Sequence, residues 1–253
     1  MTRVFGPGQR SVLVAIDHLA VLAEPEPALR DPAALVSTVR AAGADGVMLT
    51  RGALAQASAE LAGLAVVLSV PLDPASPAHV PDLALRLGAH MVKVIFTPFT
   101  DGADDQAATL GALTTACHRW DLPVMIETVP GGFAAGGKYR QTATLAAAAR
   151  IATELGAAAI KTFMPRMATT VDGTGPADPD GLRDLCQYAG VPVLILGGQR
   201  IELAELIDLT TAAIDAGAAG VAVGRNIWGA DSPGAVVDAL VRAVHSTVTR
   251  TGA

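Results

Sequence analysis

Gly43-Ala-Asp-Gly-Val47, Gly88-Ala-His-Met-Val92, Gly156-Ala-Ala-Ala-Ile160 and Gly217-Ala-Ala-Gly-Val221 are four spellings of one five-residue word. Each follows an alanine-rich amphipathic stretch and runs into a short apolar segment. Glycine suits the left-handed residue that ends a helix, and the small alanine after it lets the chain turn into a strand. The word therefore marks a helix-to-strand joint, and its recurrence predicts repeated αβ units.

Working outward from these joints, short apolar runs give eight strands: Val12–Ile16, Gly46–Leu49, Ala65–Val70, Met91–Phe96, Val124–Glu127, Ala159–Thr162, Pro192–Leu196 and Gly220–Val223. Helical patterns lie between them, clearest over Asp104–Trp120, Gln141–Leu155, Pro179–Tyr188, Glu202–Ala216 and Pro233–Val248. Strict alternation argues for a parallel sheet with helices outside. Eight repeats favour closure over an open sheet, and no Gly-x-Gly-x-x-Gly follows the first strand. The expectation is an α/β chain forming a single (β/α)8 TIM barrel over residues 1–253, close to the roughly 250 residues usual for that fold.

Composition narrows the function. Hydrophobic residues make up 51% and charged residues 17% of the chain, and the mean hydropathy is +0.43. Such a chain buries a large core and is expected to cover some helix faces with copies of itself, as a homo-oligomer. The longest apolar candidate, Ser11 to Leu22, is broken by Asp17 and His18, so no membrane span is expected. The start, Met1 to Gly8, has no signal-peptide core, which points to the cytoplasm. Two cysteines and five scattered histidines offer neither a disulfide framework nor metal-ligand spacing. No metal and no cofactor are expected. A net charge of −6 without a basic stripe argues against nucleic acid.

The lysines carry more than the total charge does. Only three of 18 basic side chains are lysine, namely Lys93, Lys138 and Lys161. A lysine kept in an arginine-rich background is suspected of a task that arginine cannot do, such as losing its proton and attacking a carbonyl. Barrel active sites lie at the C-terminal strand ends, so position decides. With side chains alternating along a strand, Ala159 and Lys161 share the inward face of strand six, and Met91, Lys93 and Ile95 share that of strand four. Lys138 falls in the loop after strand five, within Gly136-Gly-Lys-Tyr139-Arg140. All three are thus expected at one mouth, with the inward lysines desolvated, mutually repelled and lowered in pKa.

Three further residues reach that mouth. Asp17 has the inward parity of Leu13 and Ala15, although an N-cap or loop-ordering role fits the sequence equally well. Glu127 has the parity of Met125 and is a candidate proton shuttle or lysine partner. His18 is placed to orient a substrate oxygen. Strands seven and eight end in Leu196-Gly197-Gly198-Gln199 and Val223-Gly224-Arg225-Asn226. Glycine loops at these two ordinals are where this fold holds phosphate on backbone amides, and Arg225 adds a charged fork.

Four stretches resemble a known family: Val14-Ala-Ile-Asp-His18, Gly156 to Thr162, Val191-Pro-Val-Leu-Ile-Leu-Gly-Gly198 and Gly217 to Trp228. They are similar to the archaeal-type class I fructose-bisphosphate aldolases. Relatives of that group include the autoinducer-2 phosphate thiolase, the aminodideoxyheptulosonate synthases and, further off, the deoxyribose-phosphate and sulfofructose-phosphate aldolases. The resemblance implies a Schiff base on Lys161, assistance from Asp17, and phosphate held by the two glycine loops and Arg225.

The chain departs from that family at two positions. Where its members carry an aromatic-Ser-Tyr-Pro sequence with a catalytic tyrosine, this sequence reads Glu127-Thr-Val-Pro130, with Val129 in the tyrosine's place. Lys93 looks more like the tagatose- and sulfofructose-phosphate branch. Proton handling by Glu127, Lys93 or Asp17 is therefore expected, and fructose 1,6-bisphosphate is disfavoured as substrate. The resulting expectation is a class I aldolase acting on a small phosphorylated ketose or aldehyde. Two alternatives stay open at this point: a Schiff-base acyl-transfer or transaldol-type enzyme, and a phosphosugar-binding barrel without catalysis.

Overall fold

The chain is seen in a computed structural model that describes residues 1, 3–6, 8–20, 25–75, 77–167 and 175–245. Its strands are β1 (Ser11–Ala15), β2 (Gly46–Thr50), β3 (Ala65–Ser69), β4 (Met91–Phe96), β5 (Val124–Thr128), β6 (Ala159–Thr162), β7 (Val193–Leu196) and β8 (Gly220–Val223). Each pairs in parallel with its neighbour in chain order, and β8 returns to β1 to close the barrel. The expected fold is the observed one. Every strand lies within one residue of its expected limits, the usual uncertainty at element ends.

The helices are α1 (Pro32–Ala41), α2 (Arg51–Gln56), α3 (Val80–Arg86), α4 (Ala103–His118), α5 (Thr142–Glu154), α6 (Pro179–Ala189), α7 (Leu203–Asp215), α8 (Arg225–Trp228) and α9 (Pro233–His245). The end expected for the last helix, at Val248, lies outside the described residues. Helices α1, α2, α3 and α8 are too short for a long apolar period, and α1 and α2 show instead through their caps, Asp31 and Thr50. Asp31 accepts a bond from Ala34 N at 3.0 Å, with Pro32 in the first turn. The joint glycines Gly43, Gly88, Gly156 and Gly217 have φ of 86°, 70°, 96° and 103°, the left-handed values that the repeated word requires.

Alternation along the strands makes two apolar layers. Val14, Ile16, Val47, Val94 and Ile160 face the helices, where branched side chains pack on the pleat. Leu13, Met48, Val67, Met91, Met125 and Leu194 fill the lumen. Val4 and Phe5, 1% and 5% exposed, join that inner layer beside Ala219, just ahead of β8. They close the lumen at the N-terminal ends of the strands, so its opening is at the other end. Among the described residues no helix is long and apolar enough to cross a membrane.

Candidate active site

Four charged side chains stand on the lumen side, each two residues beyond a side chain that fills it. Asp17 follows Ala15, Lys93 follows Met91, Glu127 follows Met125 and Lys161 follows Ala159. Lys161 Nζ donates to Glu127 Oε2 at 3.0 Å. Lys93 Nζ lies 2.6 Å from that same oxygen and donates to Asp17 Oδ2 at 2.9 Å. Ser69 Oγ, 3.5 Å from Lys93 Nζ, and Met48 Sδ, 3.9 Å from Lys161 Nζ, complete the surroundings. Asp17 is therefore turned into the barrel and does not act as a helix cap. All four residues are between 2% and 8% exposed.

Burying four charges together is expensive, and the mutual pairing decides their protonation. Burial alone would raise the Asp17 carboxyl, but the charges of Lys93 and Lys161 outweigh it and hold the group well below the carboxylate range. Glu127 follows the same pattern: burial raises it, and Lys161 and Lys93 together bring it below its ordinary value. Burial depresses Lys93, yet Glu127 and Asp17 more than compensate and leave it above its ordinary value. This corrects the expectation for Lys93, because interposed carboxylates replace the repulsion foreseen between two ammonium groups. Desolvation plus specific partners at a barrel mouth is the signature of a reaction centre more than of a stabilising device.

The glycine loops lie beside this quartet, after β7 and β8. A Cβ on Gly224 would sit 2.5 Å from His18 Cε1 and 2.8 Å from Ala15 O, so glycine alone lets His18 pack there. His18 meets Trp228 edge-on at 5.6 Å, and among the described residues its buried Nδ1 has no hydrogen-bond partner. Burial lowers its pKa despite the opposing pull of Asp17, leaving a neutral imidazole. Asn226 fixes the β7 loop from across the gap. Its Nδ2 donates to Gly197 O at 2.9 Å and Gln199 O at 3.0 Å, while its Oδ1 accepts from Ile201 N at 2.9 Å. Arg225 Nη1 donates to Gln199 Oε1 at 3.2 Å.

A cavity of about 520 Å³ opens on the β6 to β8 side, with Gly197, Gly198 and Arg225 in its walls. The quartet of Asp17, Lys93, Glu127 and Lys161 does not line it. Lys138 is not brought to the quartet: its side chain is exposed, with Nζ 4.9 Å from the centroid of the Tyr139 ring. The expected convergence of three lysines is thus a convergence of two. Val129 is fully buried, leaving no titratable group at its position. Sequence reasoning passed over Ser69, although strand parity alone would have found it. It also passed over Asn226, whose role depends on a loop bond that no local pattern encodes.

Comparison with known proteins gives the family. Residues 11–230 match the DeoC/LacD family aldolases. The chain is 31% identical over 257 residues to 2-amino-4,5-dihydroxy-6-oxo-7-(phosphonooxy)heptanoate synthase of Streptomyces griseus, covering 95% of this chain and 87% of that protein. It is 30% identical over 242 residues to the class 1 fructose-bisphosphate aldolase of Thermoproteus tenax, covering 89% and 86%. A solved Schiff-base-forming fructose-1,6-bisphosphate aldolase superposes with a TM-score of 0.78 at 25% identity, covering 96% of this chain and 98% of the other. The chain belongs to the DeoC/LacD family and is a class I aldolase working through a lysine Schiff base.

Proposed function

We propose that Lys161 is the Schiff-base lysine and Glu127 the acid/base, acting on a small phosphorylated ketose or aldehyde. The observation that carries this reading is the single oxygen, Glu127 Oε2, shared by Lys161 and Lys93. Glu127 takes a proton from the Lys161 ammonium, and the neutral amine adds to the substrate carbonyl. Loss of water leaves an iminium. A base then removes the β-hydroxyl proton, the carbon–carbon bond breaks, and its electron pair moves into the iminium to give an enamine. The aldehyde fragment leaves; protonation of the enamine and hydrolysis release the ketone and restore Lys161. Glu127 returns the proton it took from Lys161 to the departing water, so it is a carboxylate again when the β-hydroxyl proton has to be removed. Lys93 and Asp17 hold that carboxylate in place. With Val129 where related enzymes have tyrosine, Glu127 is the group nearest the reacting nitrogen that can move a proton.

Phosphate is assigned to Gly197, Gly198, Gly224 and Arg225, with neutral His18 oriented toward a substrate oxygen. The names of the Streptomyces griseus and Thermoproteus tenax proteins both denote phosphorylated compounds, which supports this class. A homo-oligomer in the cytoplasm is the companion reading, supported by exposed Trp120, Tyr188 and Phe133 and by two free cysteines.

Borohydride treatment with a panel of phosphorylated ketones and aldehydes, followed by intact mass and peptide mapping, tests the assignment. A stable adduct on Lys161, lost in Lys161→Arg, is expected. An adduct on Lys93 would move the nucleophile, and no adduct from a folded chain would overturn the reading.

A further inference from the structure

The helix-facing layer of the barrel holds two hydroxyl groups directly behind the proposed reacting pair. Thr128 follows Glu127 on β5 and Thr162 follows Lys161 on β6, so each takes the opposite face of its strand. That face is the one of Val124, Ile126 and Ile160, which pack in the outer apolar layer. Both threonines are fully buried. Thr128 Oγ1 donates to Thr162 Oγ1 at 3.0 Å, and Thr162 Oγ1 donates to Thr128 O at 3.5 Å. Thr162 thus engages both the side chain and the backbone of residue 128.

The bridge sits at one particular step of the sheet. Between β5 and β6 the ladder pairs Met125 with Ala159, Ile126 with Ile160 and Glu127 with Lys161. On its other side β5 runs one step further, pairing Thr128 with Phe96 of β4, and Val129 N then donates to Phe96 O at 2.9 Å. Beyond Glu127, therefore, β5 stays with β4 while its ladder with β6 has ended. The two hydroxyls join the strands at the step where that ladder stops. A bond there fixes the separation of the strand ends that carry Glu127 and Lys161, whose polar atoms meet at 3.0 Å on the lumen side.

Packing alone does not ask for hydroxyls at these positions. Valine has the same branched outline and suits the apolar layer behind a parallel sheet. Two buried hydroxyls bonded to each other gain little net stability over a pair of apolar groups of the same shape. What the hydroxyls add is distance and direction, which a pair of methyl groups does not supply.

We propose that Thr128 and Thr162 are positioning residues, whose hydroxyl bridge holds Glu127 within proton-transfer reach of Lys161. This rests on Lys161 as the nucleophile and Glu127 as its proton acceptor. The bridge touches neither the substrate nor the reacting atoms and acts through the two strands.

Three variants of the full chain test the role. Thr162→Val leaves the Thr128 hydroxyl without its side-chain acceptor and should lower the urea midpoint. Thr128→Val combined with Thr162→Val removes both groups and keeps the shape, so its midpoint should return close to wild type. Borohydride trapping of dihydroxyacetone phosphate should nonetheless stay about ten-fold or more slower in that double variant. Its acid limb should also move to higher pH, because a more distant Lys161 leaves Lys93 alone to oppose burial and Asp17 at the Glu127 carboxyl. Thr162→Ser keeps the oxygen and should recover most of the rate. A trapping rate that recovers together with the midpoint in the double variant would reduce the bridge to a structural bond and overturn the inference. So would a Thr162→Ser variant as slow as Thr162→Val. Peptide mapping separates this from the reading beneath it. A wild-type adduct on Lys93, or none, sinks the Lys161 assignment and the positioning role with it; an adduct on Lys161 formed equally fast in wild type and double variant sinks the positioning role alone.

Discussion

Glu127 and Lys161 are Cα partners in the β5–β6 ladder, and above that ladder their side chains meet at 3.0 Å. The proposed proton acceptor is thus tied to the proposed nucleophile by strand register, so no loop has to move to join them. Sites built on strands hold such distances more tightly than sites built on loops.

Glu127→Gln keeps the shape and removes the proposed base. Turnover should fall by roughly 10²- to 10⁴-fold, the usual worth of a general acid/base. Borohydride should still trap a carbonyl substrate on Lys161. Steady-state kinetics beside mass analysis separates the two effects, and a kcat near wild type would take Glu127 out of the proton path.

Lys93→Met leaves Asp17 unpaired and strips Glu127 of one cation. Breaking a buried charge network by one partner costs about 3–5 kcal/mol. Urea denaturation should show that loss, and adding Asp17→Asn should recover part of it. If the two substitutions are simply additive, Asp17 and Lys93 are not coupled.

The quartet also shapes stability against pH. Asp17 and Glu127 titrate lower in the folded chain than in the unfolded one. Their contribution is whole above the unfolded value of about 4 and is lost as pH falls toward the folded values. Lys93 titrates higher when folded, so its contribution is whole below about 10.4 and is lost as pH rises through the folded value. Asp17→Asn should therefore flatten the acid limb of a plot of melting temperature against pH. An unchanged limb in the variant would show that Asp17 is not responsible for it.

Asn226→Ala removes three hydrogen bonds to the backbone of the β7 loop. At about 1 kcal/mol each, the loss should be roughly 3 kcal/mol in denaturation. Because the loop is the proposed phosphate site, KM should rise more than kcat falls. The opposite split would place Asn226 closer to the chemical step.

Gly224→Ala forces a methyl group against His18 and the carbonyl of Ala15. Overpacking of this kind costs about 1–3 kcal/mol. KM for a phosphorylated substrate should rise as His18 is displaced. Wild-type stability and KM together would show that the loop relaxes freely.

The barrel was legible because its signals are local: a left-handed glycine at each of four joints, and branched residues on alternate positions of every strand. The quartet was legible for the same reason, since the parity of Ala159 and Lys161, or Met125 and Glu127, is a property of one strand. Contacts between strands were not legible. The carboxylate between Lys93 and Lys161 depends on how β4, β5 and β6 are staggered, and it reversed the direction expected for Lys93. Lys138 misled because a loop residue has no parity to fix where it points. Asn226 is placed by a long-range partner, the β7 loop, which no spacing announces.

Val4 and Phe5 stop one end of the lumen, and that stopper bears on kinetics more than on stability. A vessel with a single doorway imposes a queue. In the proposed reaction the fragment bonded to Lys161 sits deepest, so the free aldehyde would depart before the tethered fragment in cleavage and arrive after it in synthesis. The order of entry and exit is then set by the architecture, at the end of the barrel where no chemistry occurs.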